Sequence, residues 1–95
     1  MILAVGPGQR PYTLNQAHPD KDRILSAMKS FEPNACAEGC DTDYSTGTEV
    51  SDVSGWGYLY HDLLWTSEQV YNFEKHDLVL NPEFCEAILA LAQEA

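Results

Sequence analysis

Basic residues are scarce in this chain. Its 95 residues contain five Lys and Arg against fifteen Asp and Glu, which gives a net charge of −10 at pH 7. Four of the five bases fall within residues 1–30, so that stretch carries +2 while residues 31–95 carry −12. Such a charge repels nucleic acid and anionic membranes, and it attracts basic surfaces on other proteins. The composition therefore favours a basic protein as partner over direct binding to nucleic acid or a membrane.

Long hydrophobic runs are also lacking. The apolar start ends at Gly6 without a preceding base, so it does not have the form of a signal peptide, and no run approaches the length of a membrane span. We therefore expect a cytoplasmic protein. The three cysteines are an odd number, and in that compartment they favour reduced thiols over a disulfide framework.

The common catalytic motifs are missing as well. Gly6-Pro7-Gly8 is too short for a phosphate-binding loop, and no Lys-Ser or Lys-Thr pair follows it. The three histidines are scattered and have no fixed spacing to a cysteine nucleophile. The sequence therefore predicts a protein that is not an enzyme and that holds no cofactor.

Two patterns resemble metal sites in part. Residues 41–52 place oxygen-bearing side chains in the order of a calcium loop, but Thr46 stands where that loop requires glycine. Cys36 and Cys40 supply half of the four ligands that structural zinc needs, and no second close pair accompanies them. We therefore predict no metal site, with a metal-stapled small domain as an alternative.

Apolar residues are nevertheless plentiful. The chain is 44% hydrophobic and 11% aromatic, which is too apolar for a disordered acidic tail. Its length suits one domain over residues 1–95 with a small core.

Helix signals occur at three places. Pro19 stands where a first helical residue would be, and apolar residues follow it at helical spacing. Thr66 and Gln69 have the spacing of a capping box, and Asn81-Pro82 forms an N-cap followed by proline. The predicted helices span residues 19–31, 67–76 and 82–94.

Strand signals are weaker. Residues 2–5, 49–53 and 56–65 are apolar or weakly alternating and lie next to turn-forming residues. We therefore predict an α+β fold, a small single domain with about three helices packed on a short antiparallel sheet. An all-α fold is the alternative, in which residues 56–65 form a helix.

The acidic charge is too dilute to imitate DNA unless it clusters. A folded chain of this mass exposes ~5,500 Å², so −12 on two-thirds of that area is one charge per ~300 Å². Duplex DNA carries one charge per ~110 Å², from its axial charge spacing and a radius of ~10 Å. A cluster is therefore needed. The candidate partner-binding residues are Glu38, Asp41, Asp43, Glu49, Asp52, Asp62, Glu68, Glu74 and Asp77.

These observations favour a small acidic inhibitor. Such a protein would bind the basic nucleic-acid-binding surface of a partner protein or complex, as a nucleic-acid mimic of the kind found among phage anti-defence and anti-CRISPR proteins. An immunity protein or antitoxin that neutralises a nuclease is the alternative, because its interface has the same physics.

Overall fold

Three helices pack on a four-stranded sheet in the computed structural model, which describes residues 1–6, 12–36, 40–50 and 55–94. The α+β fold is therefore as predicted. In chain order the elements are β1 (Ile2–Leu3), α1 (Lys21–Lys29), β2 (Ala35–Cys36), β3 (Trp56–Tyr60), β4 (Leu63–Thr66), α2 (Ser67–His76) and α3 (Pro82–Glu94).

The sheet is mixed, with the strand order β1-β4-β3-β2. Residues 56–65, predicted as one strand, instead form the antiparallel hairpin of β3 and β4. The chain reverses at His61, whose left-handed φ of 52° permits the tight turn. β1 pairs parallel to β4, with Ile2 opposite Leu63, so the prediction of a purely antiparallel sheet was wrong.

Only Glu49 and Val50 of the predicted strand 49–53 are described, and neither belongs to a strand of the sheet. Glu49 makes an isolated bridge with Thr42, and residues 51–53 lie outside the described part of the chain. The fourth strand is β2, which pairs antiparallel to β3. A Cβ on Gly57 would lie 3.2 Å from the Ala35 Cβ, so glycine lets these two strands approach closely.

The helices follow their capping signals. α2 begins and ends as predicted, and both hydrogen bonds of the Thr66 and Gln69 capping box are present. α3 also has its predicted bounds. α1 is shorter than predicted, because Asp20 is its N-cap and Lys21 its first residue. The all-helical alternative is wrong, since β3 and β4 lie between α1 and α2.

Trp65 lies at the centre of the core and is fully buried. Its ring stacks on Tyr58 at 5.2 Å and meets the edges of Phe31 and Phe84, each at 5.7 Å. The helices add their predicted apolar residues to the same core, namely Ile24, Met28, Val70, Phe73, Phe84 and Ile88. Within the described ranges, no helix combines the length and apolar character needed to cross a membrane.

The helices define two sides of the molecule. α2 packs on β3 and β4, while α3 packs on β1 and β4. α1 contacts both of the other helices. α2 and α3 therefore lie toward different edges of the sheet.

Candidate functional site

Residues 41–50, most of the segment with the calcium-loop pattern, form a compact turn that lies against α2. The backbone N–H of Asp43 donates to the Thr48 carbonyl at 2.8 Å, and the N–H of Gly47 donates to the Asp43 carbonyl at 2.8 Å. Gly47 has a left-handed φ of 74°, which glycine adopts at little cost. The backbone thus holds this loop in one defined shape.

Glu68 of α2 receives two donors from this loop. Its Oε1 accepts the Thr42 backbone N–H at 2.7 Å, and its Oε2 accepts the Tyr44 hydroxyl at 2.5 Å. Burial and the neighbouring Glu68 carboxylate raise the pKa of Tyr44 well above its ordinary value. Tyr12 stacks on Tyr44 at 4.1 Å. The Glu68 carboxylate therefore serves the packing of the loop.

Asn72 holds the same loop one helical turn further along α2. Its side chain is fully buried and makes three hydrogen bonds. Nδ2 donates to the carbonyls of Thr42 at 2.9 Å and Glu68 at 2.8 Å, and Oδ1 accepts the Tyr44 N–H at 2.8 Å. Sequence reasoning missed this residue. The four-residue spacing of Glu68, Asn72 and His76, a polar row on one helix face, is the signal that could have revealed it.

Asp43 is surrounded by donors. Oδ1 accepts the backbone N–H and the hydroxyl of Ser45 at 2.9 and 2.7 Å. Oδ2 lies 3.0 Å from the Tyr71 hydroxyl and 2.9 Å from His76 Nε2. Hydrogen bonds from Ser45, and next from His76, hold the pKa of Asp43 well below its usual value. Both oxygens of the Asp43 carboxylate therefore make hydrogen bonds within the protein.

Ser45, His76 and Asp43 are the residue types of a nucleophilic triad, but their geometry differs from one. Ser45 Oγ lies 3.3 Å from His76 Nε2, the same nitrogen that faces Asp43. In a catalytic triad the hydroxyl and the carboxylate contact different ring nitrogens. These three side chains therefore link the loop to α2 and do not have the geometry of a catalytic triad.

Asp41 points into the protein. Only 3% of the residue is exposed, and its Oδ2 accepts the Ser67 hydroxyl at 2.6 Å. Burial raises the pKa of Asp41, the Ser67 hydrogen bond opposes that shift, and the Glu68 charge adds to it. In this conformation the carboxylate does not face the surface, although the sequence places it among the candidate contacts.

Glu74 and Asp77 are paired with lysines of α1. Lys29 Nζ lies 2.9 Å from Glu74 Oε2, and Lys21 Nζ lies 2.5 Å from Asp77 Oδ1. The Lys29 hydrogen bond lowers the pKa of Glu74. Two of the five bases of the chain thus pair with acids on the α2 side.

Two predicted residues keep exposed carboxylates. Glu49 and Asp62 have no ion pair within the described residues, and they lie on different elements, the 41–50 loop and the β3–β4 turn. Glu38 and Asp52 lie outside the described residues. The structure therefore groups Asp41, Asp43 and Glu68 around the loop and leaves Asp62 apart from them.

An acidic row on α3 was not predicted. Glu83, Glu86 and Glu94 are exposed and share one side of the helix, since successive residues turn by ~100°. α3 contains no Lys or Arg. Asp62 belongs with this row, because it lines the same groove as Glu94. Acids at helical spacing without a base, within the predicted helix 82–94, were the available signal.

No cluster of three His, Cys, Asp or Glu in the described ranges is arranged to hold a metal. Asp41 and Asp43, which would be neighbouring calcium ligands, face Ser67 and His76 instead. Cys36 and Cys40 are exposed thiols, while Cys85 is buried and its pKa is raised by that burial.

Comparison with protein-family models, curated proteins and solved structures finds no match to this chain. Its function has to be inferred from its own side chains. Among the described carboxylates, Asp41, Asp43 and Glu68 bond internally around α2, whereas Asp62, Glu83, Glu86 and Glu94 are exposed near α3.

Proposed function

We propose that this protein acts by binding, not by catalysis. Its acidic surface covers a basic nucleic-acid-binding surface of another protein and blocks it. The observation that carries the proposal is the exposed carboxylate row of Glu83, Glu86 and Glu94, with Asp62 beside it.

The ion pairs of the basic residues support this proposal, because they are formed with acids outside the row. Lys21 and Lys29 pair with acids of α2, and Arg23 pairs with Asp20 at 3.5 Å. Arg23 also borders α3 beside Leu89 and Gln93, but its ion pair is with Asp20 and not with a carboxylate of the row. The charge of the acidic row is therefore left uncompensated by these three bases.

Charge of one sign on one surface accelerates association with an oppositely charged partner, and salt weakens that effect. The carboxylates around α2 are weaker candidates for this role, because donors and lysines already occupy them. The proposed contact surface is therefore the α3 side, which shares only Asp62 with the predicted set.

The first experiment is affinity capture from a lysate of the source organism. We expect a nucleic-acid-binding protein to be captured at about 0.1 M salt and lost at about 1 M, where the screening length falls from about 10 to 3 Å. In a mobility-shift assay, this protein should then displace nucleic acid from the captured partner. Capture that is insensitive to salt, or a partner that keeps its nucleic acid, would contradict the proposal. A captured nuclease toxin would assign the immunity-protein alternative.

A matched pair of triple variants tests the surface. One variant neutralises Glu83, Glu86 and Glu94 as glutamines. The control replaces Asp22 with asparagine and Glu32 and Glu49 with glutamine, which removes the same charge from other exposed positions. We expect the α3 variant to slow association more than the control does. Equal slowing would mean that net charge alone drives binding and that the row has no special role.

A further inference from the structure

The acidic row adjoins an apolar groove between α3 and the edge of the sheet. The groove has a volume of about 250 Å³, and apolar side chains line it, namely Ile2, Leu63, Ala87 and Leu91. Pockets that bury drug-sized ligands are larger, about 300–1,000 Å³. This groove therefore suits one or two apolar side chains of a larger partner.

Small residues of α3 leave this groove open. Ala87 and Ala90 stand one turn apart on the helix, and Ala90 is exposed. Asp62 and Glu94 also line the groove, together with His61. Among the described residues that line the groove, none is Lys or Arg. A groove with an apolar lining and two carboxylates is complementary to a partner segment that carries apolar side chains next to basic ones.

Glu83 and Glu86 extend this charge beyond the groove. From Glu83 to Glu94 the helix rises ~16 Å, at 1.5 Å per residue. That span equals about three turns of a helix lying alongside α3. Helices that bind in grooves insert apolar anchors at spacings of three and four residues, and their basic side chains can then meet a flanking acidic row.

We propose that this groove binds one basic amphipathic helix of the partner protein. The inference rests on the proposed function and names its site: apolar anchors of the helix fill the space over Ala87 and Ala90, and its Lys or Arg side chains meet Asp62, Glu94 and the acidic row. The anchors provide selectivity among basic proteins, which charge alone does not.

Two synthetic peptides test this proposal. The probe is a Leu–Lys peptide of about 18 residues with its leucines on one helix face, long enough to form a helix on binding. The second peptide has the same composition in an order that gives no apolar face. Fluorescence anisotropy at about 0.1 M salt, with screening over about 10 Å, measures both affinities. We expect the amphipathic peptide to bind at least tenfold more tightly.

Matched variants locate the binding. Ala90→Lys fills the groove, and Ser26→Lys places the same charge on an exposed position of α1. We expect the first to weaken peptide binding about tenfold and the second less than twofold. Asp62→Asn with Glu94→Gln should weaken it about fivefold, the loss of two exposed ion pairs. The control pair Glu32→Gln and Glu49→Gln should have a smaller effect. Unfolding curves establish that each variant is folded.

The outcomes separate the two proposals. Equal affinity for both peptides, or equal losses from Ala90→Lys and Ser26→Lys, overturns the groove and leaves a purely electrostatic inhibitor. Failure to bind either peptide also overturns the groove. The proposed function is judged independently by salt-sensitive capture and displacement of nucleic acid, which do not depend on these peptides.

Discussion

Asn72 offers the sharpest test of how the 41–50 loop is held. The substitution Asn72→Ala removes all three side-chain hydrogen bonds of a fully buried residue. It leaves the Tyr44 N–H and the Thr42 carbonyl, both facing the helix, without their partner. Asn72 has no exposed surface, so water would have to enter the space of the removed side chain to replace these bonds.

The magnitude follows from these groups. A buried donor or acceptor left without a partner costs about 1–3 kcal/mol, and two such groups remain after the substitution. We expect the free energy of unfolding to fall by about 3 kcal/mol, a large part of the 5–15 kcal/mol typical of domains. For a domain of this size, each kcal/mol lowers Tm by about 4–8 °C, so Tm should fall by about 12–24 °C.

Urea unfolding, followed by tryptophan fluorescence, measures this loss. Asn34→Ala is the matched control, because Asn34 is exposed and also bonds backbone groups, accepting from the Leu59 N–H at 2.8 Å and donating to the Leu59 carbonyl at 2.7 Å. Its replacement should cost less than about 1 kcal/mol, since water can take over both bonds. If the two variants lose equal stability, Asn72 is not the clamp that its contacts indicate.

Further predictions concern the loop and the helix start. Asp41→Asn should raise stability at pH 7, because burial raises the pKa of Asp41. That gain should vanish as the pH falls below about 3.9, where the carboxyl is protonated in both states. Asp43→Asn should lower stability at pH 7, because the pKa of Asp43 is lowered in the folded protein. That loss should shrink as the pH falls below about 3.9. Denaturation at several pH values checks the direction of the effect for both the Asp41 and the Asp43 variants. Gly47→Ala should cost about 1 kcal/mol in thermal unfolding despite open space around it, because φ is 74°. Thr66→Ala should cost about 1 kcal/mol through the lost cap, and Thr66→Ser should retain most of that stability.

The helices could be predicted because their signals are local. Thr66 lies three residues before Gln69, and Asn81 directly precedes Pro82, so each helix start is written within a few neighbouring residues. The sheet could not be predicted in the same way. Ile2 pairs with Leu63 in a parallel register, and nothing near Ile2 in the sequence identifies so distant a partner.

The candidate surface was harder to predict, because an acidic residue does not reveal its partners. Asp43 and Glu68 look like free charges in the sequence, but the folded chain brings Tyr71, Tyr44 and other donors to them. The net charge of a sequence also does not show which acids the bases pair with in the folded protein. Only the packing of α1 against α2 shows that Lys29 is already engaged by Glu74.

The burial of Trp65 has a consequence for measuring this protein. Its indole Nε1 is buried without a hydrogen-bond acceptor in the described part of the chain, while Trp56 is 45% exposed. Deuterium can therefore reach the Trp65 indole only when the core opens, whereas the Trp56 ring is open to solvent in the native state. In one NMR spectrum, the slower of the two indole exchange rates reports the free energy of the opening that exposes Trp65, and the faster one supplies an internal reference.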